Sequence, residues 1–192
     1  MLLNYNSSKI LYVLGDGVTA QQTREYIQEE TDGTVQCLSH TQFDTLQDHD
    51  QCVPGFLSFR QNLNSIVQTK NLNWVTFIHK KAFVDKNTRI GTGVVIMPTA
   101  FVDYNTTVGN FCTICPSVVV GHGAHLGNNV VLCPNTYVGG STHIGDNFWA
   151  GPSTTVCDHR VIGVDITCVI GSTVTKDLVD PGRYYNNKRM ID

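Results

Sequence analysis

The sequence predicts an α/β N-terminal subdomain followed by an all-β parallel solenoid. Three observations carry this. Strand and helix signals alternate up to about residue 77, as in a small parallel sheet with covering helices. From Ile78 onward an apolar residue recurs at every sixth position. Proline and glycine recur every eighteenth. A helix repeats at 3.6 and a simple amphipathic strand at 2, so a sustained period of six belongs to neither. Self-similarity over nearly a hundred residues is the signature of a solenoid.

In the first part, Lys9–Leu14 is a continuous apolar run that ends in Gly15-Asp16-Gly17. Thr19–Glu30 then reads as a helix, Thr34–Leu38 as a second strand and Cys52–Leu57 as a third. Asn62–Lys70 follows as a short helix and Asn73–Ile78 as a last strand. Ligands of such sheets bind beyond the carboxyl ends of the strands, which places candidates at Gly15–Thr19 and Ser39–His40. The Gly15-Asp16-Gly17-Val18-Thr19 turn is a short phosphate cradle without the third glycine of the dinucleotide fingerprint.

In the second part, the residues at 78, 84, 90 and on to 174 are Ile, Leu or Val in all but two cases, Ala150 and Cys168. The residue two before each is mostly small, as at Ala100, Thr106, Cys112 and Thr136. At Phe148 and Ala150 the large and small inward positions are exchanged, which conserves core volume. Pro98, Pro116, Pro134 and Pro152 lie 18 apart, as do Gly91, Gly109, Gly127, Gly145 and Gly163. Six and eighteen together predict three short strands per coil. Proline suits one set of corners through its fixed φ, and glycine is expected to supply positive φ at another. Domain limits follow at 1–77, 78–177 and a tail of 178–192.

Composition sets the function classes. The chain of 192 residues is 41% apolar and 15% charged, which excludes intrinsic disorder. No apolar run approaches the roughly 20 residues of a membrane-spanning helix, so no membrane insertion is expected. A net charge of −3 offers nucleic acid no broad attraction. Seven cysteines is an odd count, and Met1–Ser8 lacks a basic start and an apolar signal segment. Reduced thiols in a cytoplasmic protein are the expectation.

The hexads resemble the left-handed parallel β-helix of hexapeptide-repeat acyltransferases. A small Rossmann-like domain joined to the prism through Phe77-Ile78-His79-Lys80 is similar to one subgroup, the nucleotide-sugar amino-acetyltransferases and sialic-acid O-acetyltransferases. The resemblance implies acetyl-CoA as co-substrate, a nucleotide-sugar substrate, and a homotrimer with active sites between subunits. Its catalytic segment matches Val120-Gly121-His122-Gly123-Ala124-His125-Leu126-Gly127, which makes His122 the general base. Residues 18 apart stack on neighbouring coils at about 4.8 Å, so Tyr104 and Gly140 flank His122. A glycine there can present its N–H to an acetyl carbonyl, and the resemblance assigns that contact to Gly140. Register with the subgroup adds Val131, Pro152 and Ile170 as cofactor positions, and Lys176 in Thr175-Lys176-Asp177 as a phosphate partner. Gly15, Gly17, Val18, Thr19, Ser39 and His40 are the implied substrate residues.

Amino-sugar relatives carry an acid directly after the catalytic histidine, where this chain has Gly123. Asn105 and Asp103, one coil earlier, are the candidate orienters instead. The missing acid also keeps sugar O-acetylation open, and with it a scaffold without chemistry. His122, His125 and His143 are spaced 3 then 18, unlike the paired ligands of hexapeptide-repeat carbonic anhydrases, so no metal site is expected. Two apolar stripes, Phe83-Phe101-Val119-Tyr137 and Phe77-Val95-Val131-Trp149, are expected to face subunit contacts.

Overall fold

A computed structural model of the chain describes residues 1–55 and 67–190. It divides into two compact units, Met1–Lys80 with Thr92–Val95 and Lys81–Gly91 with Ile96–Asp192.

The first unit holds a four-stranded, all-parallel sheet. Its spatial order is Val35–Leu38, Leu11–Leu14, Gln51–Pro54, Asn73–Trp74, with the first strand in sequence second in space. Leu11, Val13 and Leu14 are wholly buried, as a strand covered on both faces requires. The helix spans Val18–Gln28 and turns Ala20, Thr23 and Ile27 inward. The buried Thr23 hydroxyl donates to the Thr19 carbonyl at 2.8 Å, so it costs the core no unpaired polar group. The run expected as one strand over Asn73–Ile78 is two, because Asn73–Trp74 pairs with Gln51–Cys52 while Thr76–Ile78 continues in another sheet. Its partner there is Leu2–Leu3, a short antiparallel strand the sequence did not announce. Thr92 and Val94 belong to this unit through bonds to the Trp74 carbonyl and the Thr76 hydroxyl. Most of the helix expected over Asn62–Lys70, and the end of the third strand beyond Gly55, lie outside the described residues; residues 67–69 are helical.

The second unit is a three-sided parallel solenoid of two-residue strands. One face stacks Phe83–Val84, Phe101–Val102, Val119–Val120, Tyr137–Val138, Thr155–Val156 and Thr173–Val174. The next stacks Arg89–Ile90, Thr107–Val108, His125–Leu126, His143–Ile144 and Val161–Ile162. The third includes Thr113–Ile114, Val131–Leu132, Trp149–Ala150, Ile166–Cys168 and Gly182–Tyr185. Every partner lies one 18-residue coil away along the prism up to the strand at 166–168. Backbone N–H groups along the strands reach one coil ahead, as from Gly109 to the Leu126 carbonyl at 2.9 Å.

The inward positions are buried throughout, from Ile96 to Val174, with Phe148 and Ala150 exchanged in size as expected. The small inward residues have a second task. Thr106 donates its hydroxyl to the Gly121 carbonyl, Thr136 to Gly151 and Thr142 to Cys157, each reaching a corner carbonyl of the following coil. A buried hydroxyl so paired adds stability where an unpaired one would cost it.

The corners depart from the expectation for glycine. Backbone φ is positive at every sixth residue from Gly93 to Gly171 without a break, at positions held mostly by Asn, Ser, Asp and Thr. Gly91, Gly109, Gly127, Gly145 and Gly163 lie two residues earlier and are not among the positive-φ positions. Their reason is space. A Cβ on Gly109 would lie 2.6 Å from the Gly127 carbonyl carbon, and one on Gly127 2.8 Å from that of Gly145. Proline at 98, 116, 134 and 152 precedes a positive-φ residue each time, the sequence of a type II turn.

Beyond the last coil the chain continues as paired strands. Gly182–Tyr185 adds a strand to the third face, and Lys188–Arg189 folds back on it. The turn between them sends the Asn186 side chain to the Thr173 N–H and that of Asn187 to the N–H groups of Thr175 and Lys176. An open strand edge is thereby closed to further pairing.

Gly109→Ala forces two coils apart at backbone and is expected to cost about 1–3 kcal/mol, as overpacking does. Urea unfolding at constant m-value measures it.

Candidate functional site

The corner between the first and second faces stacks Tyr104, His122, Gly140, Asp158 and Lys176, one per coil. Backbone bonds hold this column in step. Gly123 N–H donates to Tyr104 O, Ser141 N–H to His122 O, and His159 N–H to Gly140 O, all at 2.8–2.9 Å. The His122 side chain is exposed and leans onto Gly140. A Cβ on Gly140 would stand 2.9 Å from His122 Nε2 and 3.0 Å from Cε1. The imidazole thus occupies the space that any other residue at 140 would fill.

Two more glycines clear the same corner. A Cβ on Gly121 would lie 2.7 Å from Gly140 N, and one on Gly139 would lie 2.7 Å from Asp158 Cα and collide with its carboxylate. The Gly140 N–H, expected to be bare, donates to Asp158 Oδ1 at 3.0 Å. The same device caps another corner, where Asn110 N–H donates to Asn128 Oδ1 and Asn128 N–H to Asp146 Oδ1. Desolvation, and then the charge of the nearby Asp158 carboxylate, hold the Tyr137 phenol above its ordinary value. Asp158 is not among the residues expected from the sequence, since it lies two coils from His122 and not beside it. Its signal is position 158, two coils on in the same column.

Neither candidate orienter reaches the imidazole. Asp103 turns its carboxylate to the Tyr104 N–H at 2.7 Å. Among the described residues no side chain hydrogen-bonds the His122 ring. His125 and His143 stack face to face at 4.8 Å with rings 3° from parallel, and His125 Nδ1 lies 3.0 Å from the Gly123 carbonyl. No three His, Cys, Asp or Glu side chains converge to hold a metal among the described residues.

The other cofactor candidates scatter in a single chain. Pro152 and the 68% exposed Ile170 stack at the corner between the third and first faces, where Gly171 N–H bonds Pro152 O. Val131 is fully buried on the third face, so its side chain meets no solvent. Lys176 is in the His122 column but three coils on, roughly 14 Å at strand spacing. It lines a cleft of about 500 Å³ with Tyr185, Asn186, Asn187, Lys188 and Arg189. Of the stripe Phe77-Val95-Val131-Trp149, the first three are buried within the chain, which corrects their assignment to an outer surface, and Trp149 is half-buried. Phe83, Phe101 and Tyr137 are 51%, 38% and 41% exposed, and the first two rings stack at 4.7 Å.

In the first unit the loop after Leu14 meets the end of the neighbouring strand. Gly15 has φ 128° and donates to the Leu38 carbonyl at 2.8 Å. Ser39 Oγ donates to Asp16 Oδ2 at 2.8 Å, and His40 Nδ1 lies 3.8 Å from the same oxygen. Gly17 caps the helix without a side-chain bond, so Val18 and Thr19 start the helix with no side-chain acceptor from the cap, a setting that suits an anion. Asp16 is the member of this cluster that was not singled out from sequence.

Residues 105–140 match the family model "Bacterial transferase hexapeptide (six repeats)". Comparison with curated protein sequences finds no match. Among solved structures, the acetyltransferase domain of PglB from Neisseria gonorrhoeae FA1090 is similar at TM-score 0.82 and 18% identity, over 95% of this chain and 98% of that one. A histidine-to-alanine mutant of the GDP-perosamine N-acetyl transferase from Caulobacter crescentus, in complex with CoA and GDP-perosamine, is similar at TM-score 0.68 and 20% identity, over 96% and 97%. WeeI from Acinetobacter baumannii AYE follows at TM-score 0.51 and 16%, over 95% and 99%. At these identities the likeness is one of fold, a parallel β-solenoid of the left-handed β-helix type.

In Gly140→Ala the new methyl meets only the tip of an exposed side chain, so the ring yields and the backbone does not. Stability is expected within about 1 kcal/mol of the parent. A crystal structure should show the imidazole swung off the corner.

Proposed function

We propose that this hexapeptide-repeat protein is an acetyl-CoA-dependent N-acetyltransferase that acts on the amino group of a nucleotide-linked amino sugar. One observation carries the reading: an exposed imidazole seated against a side-chain-free residue, in a corner that three glycines keep clear. The solved structures of similar fold include sugar acetyltransferases, among them one bound to CoA and GDP-perosamine.

In the proposed reaction the amine attacks the thioester carbonyl. The C–N bond forms, the oxyanion collapses, and the C–S bond breaks. His122 takes the proton from the attacking nitrogen and returns it to the departing thiolate. The Gly140 N–H is the proposed oxyanion donor, and it shares itself between Asp158 and the substrate oxygen. Pro152 and Ile170 offer a corner, and Val131 only its main chain, to the pantetheine arm. Lys176 and the basic cleft of Lys188 and Arg189 suit the CoA phosphates.

The first unit is read as a Rossmann-like nucleotide-sugar domain. Its parallel sheet has the first strand between the second and third, an order that places ligands at the strand carboxyl ends. Gly15, Gly17, Val18 and Thr19 would hold the phosphates there, and Ser39, His40 and Asp16 the nucleoside. A homotrimer is supported by the exposed Phe83-Phe101-Tyr137 stripe, and cytoplasmic location by seven cysteines that form no disulfide. No described helix is long and apolar enough to cross a membrane.

Gly123, in place of an acid, favours a second reading, O-acetylation of a sugar hydroxyl. A panel of UDP-, dTDP- and GDP-amino sugars, run beside free sialic acid and assayed for thiol release from acetyl-CoA, separates the two. His122→Ala should lower kcat/KM by about 10²–10⁴-fold with unchanged melting. Retained activity would remove the mechanism. Absence of binding heat with acetyl-CoA would leave a scaffold. Sedimentation velocity should give a trimer, and Phe101→Glu a monomer.

A further inference from the structure

We infer that Asp158 is the positioning carboxylate of His122, doing from two coils away what no residue beside the histidine does. The inference rests on the proposed function in taking His122 as the base, and goes beyond it in naming the group that tunes it. The two side chains approach Gly140 from opposite coils. His122 leans forward until Nε2 is 2.9 Å from where a Cβ at 140 would be, and Asp158 reaches back to within 3.0 Å of Gly140 N. One residue without a side chain is all that separates them at that point. Gly139 makes room for the carboxylate and Gly121 for the amide it holds.

The anchoring of Asp158 is specific. It accepts from the Gly140 N–H at 3.0 Å, and after desolvation its charge is what holds the neighbouring Tyr137 phenol above its ordinary value. A fixed negative charge near an imidazole favours the imidazolium that forms as the proton is taken up. The remaining titratable groups around His122 are otherwise engaged. Asp103 is turned to the Tyr104 N–H, and His125 stacks on His143. Tyr104 and His159 lie at the column's near end and at the next corner position.

The fold supplies the control. Asn128 and Asp146 cap the N–H one coil back with the same Oδ1 geometry, so Asp158→Asn keeps the cap on Gly140 and removes only the charge. The melting temperature of Asp158→Asn should match the parent, whereas Asp158→Ala loses the cap as well. Followed by NMR of the ring protons in each protein without substrate, the His122 imidazole should titrate at lower pH in Asp158→Asn than in the parent. With acetyl-CoA and an accepted sugar, kcat should drop about ten- to a hundredfold with KM for acetyl-CoA little changed, and the acid limb of the pH profile should move down by the same shift. An unchanged His122 titration in folded Asp158→Asn overturns the inference whether or not acetyl transfer is found. A faster Asp158→Ala also overturns it, by showing that the carboxylate only blocks the amide. The NMR readout needs no activity, so failure of the proposed function is seen separately.

Discussion

The hydrogen bond from strand N–H groups to carbonyls of the following coil is the constraint on which the second unit depends. It is repeated on all three faces, as from Phe83 to Ala100, Gly109 to Leu126 and Met97 to Ile114. Strands of two residues are far too short to be stable as isolated pairs. They persist because each is clamped above and below, and because the inward Ile, Leu and Val side chains of successive coils share one core. The geometry has a cost at the corners, where residues other than glycine adopt positive φ, at about 1 kcal/mol each. Asn and Asp are favoured there since they tolerate this conformation, and ladders such as Asn129–Asn147–Asp165 recover part of the cost as side-chain hydrogen bonds.

The same constraint makes the candidate site. Stacking brings residues far apart in sequence to strand spacing, so His122, Gly140 and Asp158 become neighbours without any loop arranging them. Glycine is used here for vacancy more than for flexibility. Gly121, Gly139 and Gly140 sit where a methyl group would strike an amide, a carboxylate and an imidazole in turn. A polar ladder that elsewhere merely caps backbone has, at this corner, become part of the surroundings of a histidine.

Buried thiols follow the core logic. Cys168 is pushed up to about 12 by burial and Cys52 higher still, so both stay protonated as small apolar fillers. Cys168 occupies an inward position that is otherwise aliphatic, and Cys112 one of the small positions, where its Sγ–H reaches the Gly127 carbonyl. The odd cysteine count is thus a packing fact.

The six- and eighteen-residue periods determined the solenoid, its inward residues, the Phe148–Ala150 exchange and the adjacency of His122 and Gly140, because each depends only on spacing along the chain. The parallel sheet of the first unit was legible for the same reason, through alternating apolar runs. What spacing cannot encode was left to the tertiary structure. Which glycines are needed for room and which corners take positive φ depends on the height at which one coil meets the next. Whether Val131 faces solvent, and which backbone N–H groups Asp103 and Asp158 turn toward, depends on competition for donors that only the packed coils define. Sequence sets which residues share a column; the satisfaction of backbone polar groups decides where their side chains point.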